Sequence, residues 1–513
     1  MPKITLNGKS IEVADGITII EAYKQLDEPI AHYCWHPGLT IAGVCRLCVV
    51  EIEGNPRLQI ACNTVVQDGM VVNNNSEKVK TAVKWGLDFH LINHPLDCPI
   101  CDQAGECELQ NQYMEFGKYD PEMAEHKVKK RKVVDLGERI VLDTERCILC
   151  SRCVRFTNEV SKTNELGIFN RGDRSEVGTF EDKPLNNKYS VNTVDICPVG
   201  ALTSKDFRFR QRVWYLKDKP SICTGCSTGC SVNVYYNEEG IFRLKPRFNK
   251  DVNGYWMCDE GRDIYKHINK ENRMVRGRYK KDGAWCSTLP LETAKKAGEK
   301  LRTYSADQIA VLVTGQYTNE ELDVFVNYAV NKLGTKNIFH WKNNPDGWNE
   351  FDGLLLRGDK NPNSKGLQKV LQKHTVGGEW KDLVNQIDKF KAVVVAGPEN
   401  LQAYPDLKEK IGTLARLECV VWATADDNIA FEGLMDFTYL IPQKTSVEKS
   451  GHFTNYNGLE QKVDVVTTLL SDSLNLEETV ELLVGESVDM SQREKEDMHV
   501  MKKNYFTTER GRL

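Results

Sequence analysis

Cysteines carry most of the chemistry that this sequence offers. The chain has 513 residues and 17 cysteines, and 15 of these lie before residue 260. Many stand two or three residues apart, a spacing poorly suited to a disulfide framework but able to bring several thiolates to one metal centre. Together with one histidine, the 15 cysteines divide into four complete sets of four ligands. This closure is stronger evidence for bound metal clusters than any single motif.

The first ligand set predicts a [2Fe–2S] cluster. Its members are Cys34, Cys45, Cys48 and Cys62. Four thiolates with one C-x-x-C pair are typical of such clusters, and the long loop HPGLTIAGV can donate backbone N–H groups to the sulfurs. Zinc is the alternative. A Rieske centre is excluded because it needs two histidine ligands; His32 and His36 are expected to pack or hydrogen-bond nearby.

The second ligand set combines one histidine with three cysteines. Its members are His94, Cys98, Cys101 and Cys107. A [4Fe–4S] cluster needs four ligands, and a neutral imidazole is a competent one. His94 is only four positions before Cys98, and Pro95 stiffens the chain between them. In the alternative, His94 merely ends the preceding helix and the fourth ligand comes from elsewhere; His90, inside that helix, is the competing histidine.

The third ligand set has the spacing of a bacterial ferredoxin. Its members are Cys147, Cys150, Cys153 and, before a proline, Cys197. The C-x-x-C-x-x-C run with a distant Cys-Pro is typical of a [4Fe–4S] cluster. The chain has no complete second run of this kind, so Cys197 most simply closes its own set. An exchange of this ligand with the His94 set remains open.

The fourth ligand set again has four thiolates. Its members are Cys223, Cys226, Cys230 and Cys258. The set suits a [4Fe–4S] cluster, and a structural zinc ion with four cysteine ligands is the alternative. Cys286 and Cys419 are left over; lone cysteines are usually small core residues, and we assign them no role.

Local patterns predict the elements that hold these ligands. Residues 3–6 and 11–13 flank Asn7-Gly8 and predict a hairpin. A short helix near 19–26 and the strand-like run 47–54 complete a small ubiquitin-like ferredoxin fold. Apolar spacing predicts a helix over 77–92, and residues 115–139 have the character of a charged linker. Short β-rich runs at 309–315, 391–397 and 418–424 alternate with helical stretches, which predicts a parallel α/β domain.

Composition and missing motifs narrow the function. The net charge of −5 argues against nucleic acid as the main partner, so the basic run 127–132 is interpreted as a solvated face. No apolar run approaches the roughly 20 residues of a membrane helix, and the first residues lack the apolar core of a signal peptide. We find no G-x-G-x-x-G after a strand, no P-loop and no recognisable Ser/His/Asp arrangement. The sequence therefore predicts a chain that moves electrons without a site that accepts a hydride.

At its motifs the sequence resembles the family of large iron–sulfur subunits, the G subunits, of NADH:quinone oxidoreductase (respiratory complex I). The resemblance rests on GVCRLCVVEIEG, HPLDCPICDQAGECELQ, ERCILCSRCVRF and DICPVGAL, and it covers essentially the whole chain. The four ligand sets match the family position by position, and the fourth is similar to an extra cluster of some bacterial members. FDGLLLRGDKNPN, TNEEL and GHFTNYNGLEQ are similar to a molybdopterin-enzyme domain. The 255 residues after Cys258 are too few for the full domain, which predicts a shortened scaffold without molybdenum.

The resemblance implies a multidomain α+β and α/β chain. Its predicted parts are a [2Fe–2S] ferredoxin-like β-grasp domain at 1–76, a helical [4Fe–4S] domain at 77–116, a ferredoxin-like [4Fe–4S] domain at 140–215, a fourth-cluster domain of the molybdopterin-oxidoreductase type at 216–275, a shortened α/β scaffold at 276–485 and a charged tail at 486–513.

The resemblance also implies a function: an electron-relay subunit with one [2Fe–2S] and three [4Fe–4S] clusters. Its partners would be the other subunits of the peripheral arm, above all the NADH/FMN-binding flavoprotein, on the cytoplasmic side of the inner membrane. Quinone reduction and proton translocation would belong to the whole complex. The alternatives are the electron-input part of a formate dehydrogenase or an NAD-linked hydrogenase, and a zinc-bound interaction protein.

Overall fold

The structure is a computed structural model that describes residues 1–118, 120, 125–181, 183–269, 273–344 and 346–488. It consists of two compact units, Met1–Leu216 and Lys217–Leu513. The first unit holds the first three ligand sets, and the second unit holds the fourth. The predicted charged tail at 486–513 lies almost entirely outside the described residues.

The chain begins with a five-stranded mixed sheet. Its elements are β1 (Lys3–Leu6), β2 (Lys9–Glu12), α1 (Ile19–Gln25), β3 (Val49–Ile52), β4 (Gln59–Ile60) and β5 (Val71–Asn73). The strand order is β2-β1-β5-β3-β4, with β1 parallel to β5. Asn7 and Gly8 take positive φ angles of 48° and 83° in the turn of the first hairpin, as a tight hairpin turn requires. The predicted hairpin, helix and β3 are all present.

The rest of the first unit contains helices and small sheets. Its elements are α2 (Glu77–Leu91), α3 (Glu108–Phe116), β6 (Val134–Asp135), β7 (Ile140–Leu142), α4 (Arg152–Glu159), β8 (Leu166–Phe169), β9 (Glu176–Thr179), α5 (Asn192–Asp195) and β10 (Leu202–Ser204). Ser76 caps α2 by accepting the Val79 N–H at 3.3 Å. Strands β10, β7 and β6 form one sheet, and β8 pairs with β9.

The predicted linker at 115–139 is wrong in part. Helix α3 continues to Phe116, and Val134 pairs with Leu142 in the β6–β7 ladder. The basic run lies near the surface, as expected, but its side chains are paired: Lys132 Nζ lies 2.6 Å from Asp97 and 2.7 Å from Glu145. A two-residue strand has no periodicity of its own, so the sequence gives no sign of it.

The second unit begins with an antiparallel three-stranded sheet and continues as a large α/β domain. Its elements are β11 (Lys217–Ile222), β12 (Ser231–Asn237), β13 (Gly240–Pro246), α6 (Asp259–Arg262), α7 (Tyr265–Ile268), β14 (Gly277–Lys281), β15 (Ala284–Thr288), α8 (Pro290–Leu301), β16 (Ile309–Val313), α9 (Asn319–Asn331), β17 (Ile338–His340), α10 (Ser364–Lys373), β18 (Gly378–Glu379), α11 (Trp380–Asn385), β19 (Ala392–Ala396), α12 (Leu407–Leu414), β20 (Cys419–Thr424), β21 (Thr438–Pro442), β22 (Gly451–Thr454), β23 (Glu460–Val463) and α13 (Leu476–Val484).

The large sheet has eight strands in the order β15-β14-β21-β20-β19-β16-β17-β18. Strands β21, β20, β19, β16, β17 and β18 run parallel, and β14–β15 is an antiparallel edge hairpin. The central strands β16, β19 and β20 are fully buried and rich in Val, Ile and Ala, as expected when helices cover both faces of a sheet. The predicted parallel α/β domain is therefore present.

No helix in the described part of the chain is long and apolar enough to cross a membrane.

Candidate metal centres

The first set brings its four thiols together in two pairs. A hydrogen bond between Cys34 and Cys45 lowers the pKa of Cys34 to about 5 and raises that of Cys45. The pair formed by Cys48 and Cys62 behaves likewise: the pKa of Cys62 is lowered and that of Cys48 is raised. Four thiols this close cannot all ionise unless a cation neutralises them. The chemistry of the donor set therefore fits an iron cluster, which binds thiolates.

The second set lies where α2, a short turn and α3 meet. His94, Cys98, Cys101 and Cys107 all line one small cavity, together with Arg146 and Gly200. Cys98 begins the 3-10 turn Cys98–Ile100, and Cys107 is the residue before the first turn of α3. Cys98 is exposed, whereas Cys101 and Cys107 are buried. The competing His90 instead has its Nδ1 2.7 Å from the Gly86 carbonyl, within its own helix.

His94 is suited to bind metal through a neutral ring. Burial, together with the positive charges of Arg146 and Lys127, lowers its pKa to about 4, so the ring is uncharged near pH 7. Its buried Nδ1 has no hydrogen-bond partner in the described part of the chain. A neutral imidazole with a free nitrogen is the form that ligates iron.

The third set is wrapped by a loop that leads into α4. Cys147, Cys150, Cys153 and Cys197 line one cavity with Leu142, Val177 and Leu202. Leu149 and Ser151 take positive φ angles of 55° and 61°, which curl the loop around the cavity. Burial raises the pKa of Cys147 and of Cys150 to about 12. Such thiols stay protonated in an apolar pocket unless metal replaces the proton.

The fourth set lies in the second unit between the small sheet and the α/β domain. Cys223, Cys226, Cys230 and Cys258 line one cavity with Met257, Leu355 and Leu356. Cys223 follows β11, Cys230 precedes β12, and their backbones are joined by a 2.7 Å hydrogen bond. Burial raises the pKa of Cys258 to about 12. Neither Cys286 nor Cys419 lines this cavity.

Two glycines allow close backbone approach to the ligands. A Cβ on Gly200 would lie 2.3 Å from Cys101 Sγ, and a Cβ on Gly261 would lie 2.9 Å from Cys223 Sγ. Both distances are shorter than any real contact, so only glycine fits at either position. Sequence inspection missed both, although Gly200 stands in the DICPVGAL motif.

The segment after Cys197 joins the second and third sets. The Glu108 N–H donates to the Pro198 carbonyl at 3.0 Å, and Cys107 Sγ lies 3.9 Å from that same oxygen. Gly200, two residues on, approaches Cys101. The chain that closes the third set thus also forms a wall of the second.

Two arginines at the start of α4 connect the first set to the third. The Arg155 guanidinium donates to the Cys34 carbonyl and lies 3.5 Å from the Cys150 carbonyl. Arg152 donates to the Trp35 carbonyl at 2.8 Å and to the Ile196 carbonyl at 3.1 Å. A single apolar core contains cysteines of all three sets. The three sites of the first unit are therefore contiguous.

In the described residues, no three His, Cys, Asp or Glu side chains close on a single metal ion. The second, third and fourth ligand sets instead surround cavities. The assignment of individual ligands to clusters stays a prediction.

Comparison with protein families matches four successive regions. Residues 2–77 match the 2Fe-2S iron-sulfur cluster binding domain, and residues 86–121 match the NADH-ubiquinone oxidoreductase-G iron-sulfur binding region. Residues 137–203 match the ferredoxin-like domain of NADH-quinone oxidoreductase subunit 3, and residues 216–270 match the molybdopterin oxidoreductase Fe4S4 domain. The fold and these regions define an iron–sulfur protein with [2Fe–2S]- and [4Fe–4S]-binding domains. The predicted fold class is confirmed.

Among curated proteins, the chain is 36% identical over 339 residues to the NADH-quinone oxidoreductase G subunit of Rickettsia felis, which is 66% of this chain and 50% of that protein. It is 36% identical over 423 residues to the protein of the same name from Rickettsia conorii, 82% of this chain and 58% of that one. The chain is a homologue of these G subunits, as its motifs predicted. It spans about half the length of the curated relatives that it matches.

Among solved structures, an NAD+-reducing [NiFe]-hydrogenase in the H2-reduced state is 30% identical, with a TM-score of 0.38. That match covers 41% of this chain and 91% of the other.

Proposed function

We propose that this chain is the iron–sulfur electron-relay subunit of an NADH:quinone oxidoreductase. Its clusters would carry electrons from an NADH/FMN-binding flavoprotein subunit toward quinone. The observation that supports this most directly is the contiguity of three cysteine-rich sites within one apolar core of the first unit. A relay needs its stations close together and shielded from water, because electron transfer weakens with distance.

In this proposal each ligand set holds one cluster. The [2Fe–2S] cluster binds Cys34, Cys45, Cys48 and Cys62. The three [4Fe–4S] clusters bind His94, Cys98, Cys101 and Cys107; Cys147, Cys150, Cys153 and Cys197; and Cys223, Cys226, Cys230 and Cys258. When bound, each cluster supplies reversible one-electron chemistry, with a potential set by charge, burial and hydrogen bonds to sulfur.

The protein's own contribution is to bind, orient and insulate. Buried thiols hold the iron, and backbone N–H groups of Val199, Ala201 and Leu202 lie at hydrogen-bonding distance of Cys197 and stabilise its thiolate. Apolar walls such as Leu142 and Val177 at the third site exclude water. Arg152 and Arg155 fix the separation of the first and third sites.

The names of the relatives support the wider assignment. As part of complex I, the chain would assemble with the other peripheral-arm subunits on the cytoplasmic side of the inner membrane. Proton translocation and quinone reduction would be carried out by the whole complex. The α/β domain after Cys258 would be a shortened molybdopterin-oxidoreductase scaffold without molybdenum.

Metal analysis of anaerobically purified protein tests this proposal. We expect about 14 iron atoms per chain, matched by sulfide, with no molybdenum and no stoichiometric zinc. Dithionite should produce [2Fe–2S] and [4Fe–4S] signals in electron paramagnetic resonance (EPR). Stoichiometric molybdenum would instead favour a formate dehydrogenase. About 10 iron atoms with one zinc would convert the fourth site to zinc, and a colourless zinc protein would refute the relay.

A further inference from the structure

Arg152 is almost fully buried, with 3% of its surface exposed, although it carries a permanent charge. It is the first residue of α4 and stands directly before the ligand Cys153. Burying an arginine is costly unless its donors are used. Its contacts therefore indicate what the position gains.

Each contact of Arg152 falls on the neighbour of a ligand in a different set. The Trp35 carbonyl, at 2.8 Å, follows Cys34 of the first set. Glu108, whose Oε1 is 3.3 Å away, follows Cys107 of the second set. The Ile196 carbonyl, at 3.1 Å, precedes Cys197 of the third set. One guanidinium thus connects three ligand loops that are far apart in sequence.

The charge of Arg152 is only partly balanced. Its ion-pair partner is Glu108, at 3.2 Å, whose side chain is 44% exposed and therefore well solvated. Arg152 itself lines the cavity of the third set. Its Nε has no hydrogen-bond partner in the described part of the chain, which leaves that donor available to a sulfur atom in this cavity.

We propose that Arg152 is a positioning residue of the relay: it fixes the three ligand loops of the first unit relative to one another, and its charge favours the reduced state of the first-site and third-site clusters. This inference rests on the proposed function. Reduction adds a negative charge to a cluster, and a nearby cation stabilises that charge strongly where water is excluded. The rigid fork of donors provides the geometric part, which a lysine cannot reproduce.

The test compares three variants of the full chain in EPR-monitored redox titrations. Arg152→Met removes the charge and the fork, whereas Arg152→Lys keeps only the charge. Arg174→Met is the matched control, because Arg174 is exposed in the same unit. The fourth-site cluster, whose ligands all lie in the other unit, is the internal reference.

We expect Arg152→Met to lower the ratio of reduced to oxidised cluster about tenfold at the wild-type midpoint of the first and third sites. That change corresponds to about 59 mV for a one-electron couple. The fourth-site midpoint should not move. Arg152→Lys should keep the midpoints within about threefold on the same scale but alter the distance-sensitive magnetic broadening between first-site and third-site signals.

The outcomes separate this inference from the proposed function. Variants that match Arg174→Met in midpoint and broadening would overturn the role of Arg152 while leaving the relay intact. If Arg152→Met does not retain iron, Arg152→Lys decides: altered broadening supports the inference, and a wild-type spectrum refutes it. Absence of reducible clusters in the wild type would refute the proposed function itself.

Discussion

His94 is the one nitrogen donor among fifteen sulfur donors in the proposed ligand sets. Since its ring is neutral, it binds iron without adding negative charge. His94→Ala should leave one iron of the second cluster without a protein ligand. We expect iron to fall by up to about four atoms per chain, with loss or alteration of one [4Fe–4S] signal while the other signals persist. Iron analysis and EPR measure both effects.

The control for this prediction is the competing histidine. His90→Ala should keep all four cluster signals, because His90 is hydrogen-bonded within α2. His94→Cys should restore a four-iron cluster with a thiolate ligand. An unchanged four-cluster spectrum in His94→Ala would show that His94 is not a ligand.

Asp426 is a buried carboxyl group just after the end of β20, and its Oδ1 has no hydrogen-bond partner in the described residues. Burial raises its pKa to about 8, against the opposing effect of Arg273. The unfolded chain ionises this group near pH 4. The stability that the neutral form provides is thus fully present below that pH and is lost as pH rises toward 8.

Asp426→Asn should remove this loss, because asparagine cannot ionise and can still accept the Leu401 N–H. We expect the variant to melt about 5 °C above the wild type at pH 9 and to lose most of that advantage at pH 5. Thermal melts of full-length protein at both pH values measure the difference. Asp251→Asn, an exposed site in the same unit, should show no such trend; an equal response in both variants would contradict the assignment.

At the scale of elements, the loop between β11 and β12 is held from two directions. The Ser227 N–H donates to the Asp359 carbonyl at 2.9 Å, and the Tyr456 N–H donates to the Ser227 carbonyl at 2.8 Å. Gln461 Nε2 donates to the Gly229 carbonyl at 2.7 Å. The fourth ligand set thus fastens the small sheet to two segments of the α/β domain. We expect a cluster there to contribute mainly to stability.

Cys226→Ala should therefore lower the melting temperature of the full chain by about 5 °C or more, and lower the yield of the assembled complex. Turnover per flavin in the complex that does assemble should stay near wild type. Cys286→Ala, at a cysteine outside the ligand sets, is the matched control. A large fall in turnover per flavin with normal assembly would instead put this cluster on the electron path.

How far the sequence predicts these elements depends on how local their signals are. The hairpin around Asn7-Gly8, helix α2 and the runs of Val and Ile in β16 and β19 follow from short-range patterns and are present. The strand β6 was missed because its pairing with β7 depends on residues beyond its own two. The contacts of Arg152 join residues 44 and 117 positions apart, and no periodicity reports such a contact.

At the scale of the whole molecule, we expect the isolated chain not to oxidise NADH. The sequence has no nucleotide-binding fingerprint, and electrons would have to enter through a flavoprotein. Dithionite should reduce its clusters, while NADH alone should give a rate indistinguishable from buffer. The measurement is NADH consumption by the purified chain with an artificial electron acceptor. Sustained NADH oxidation by a preparation free of flavin would contradict the relay assignment.

The ligand sets themselves were largely predictable from sequence, because cysteines two or three residues apart have few other uses. The distant members Cys62, Cys197 and Cys258 could be assigned only by counting, and the structure brings Cys197 and Cys258 to the third and fourth cavities. Gly200 was not predicted, since its importance comes from an approach to Cys101 from almost 100 residues away.

The wall that Pro198 and Gly200 supply to the second site has a consequence for the order of synthesis. The last ligand of that site, Cys107, leaves the ribosome about 90 residues before this wall exists. At ~5–20 residues per second, the interval lasts about 5 to 20 seconds. During it the four ligands lack the backbone that closes over Cys101 and pairs with Glu108. Translation therefore makes the second and third sites ready to accept iron together, as one event.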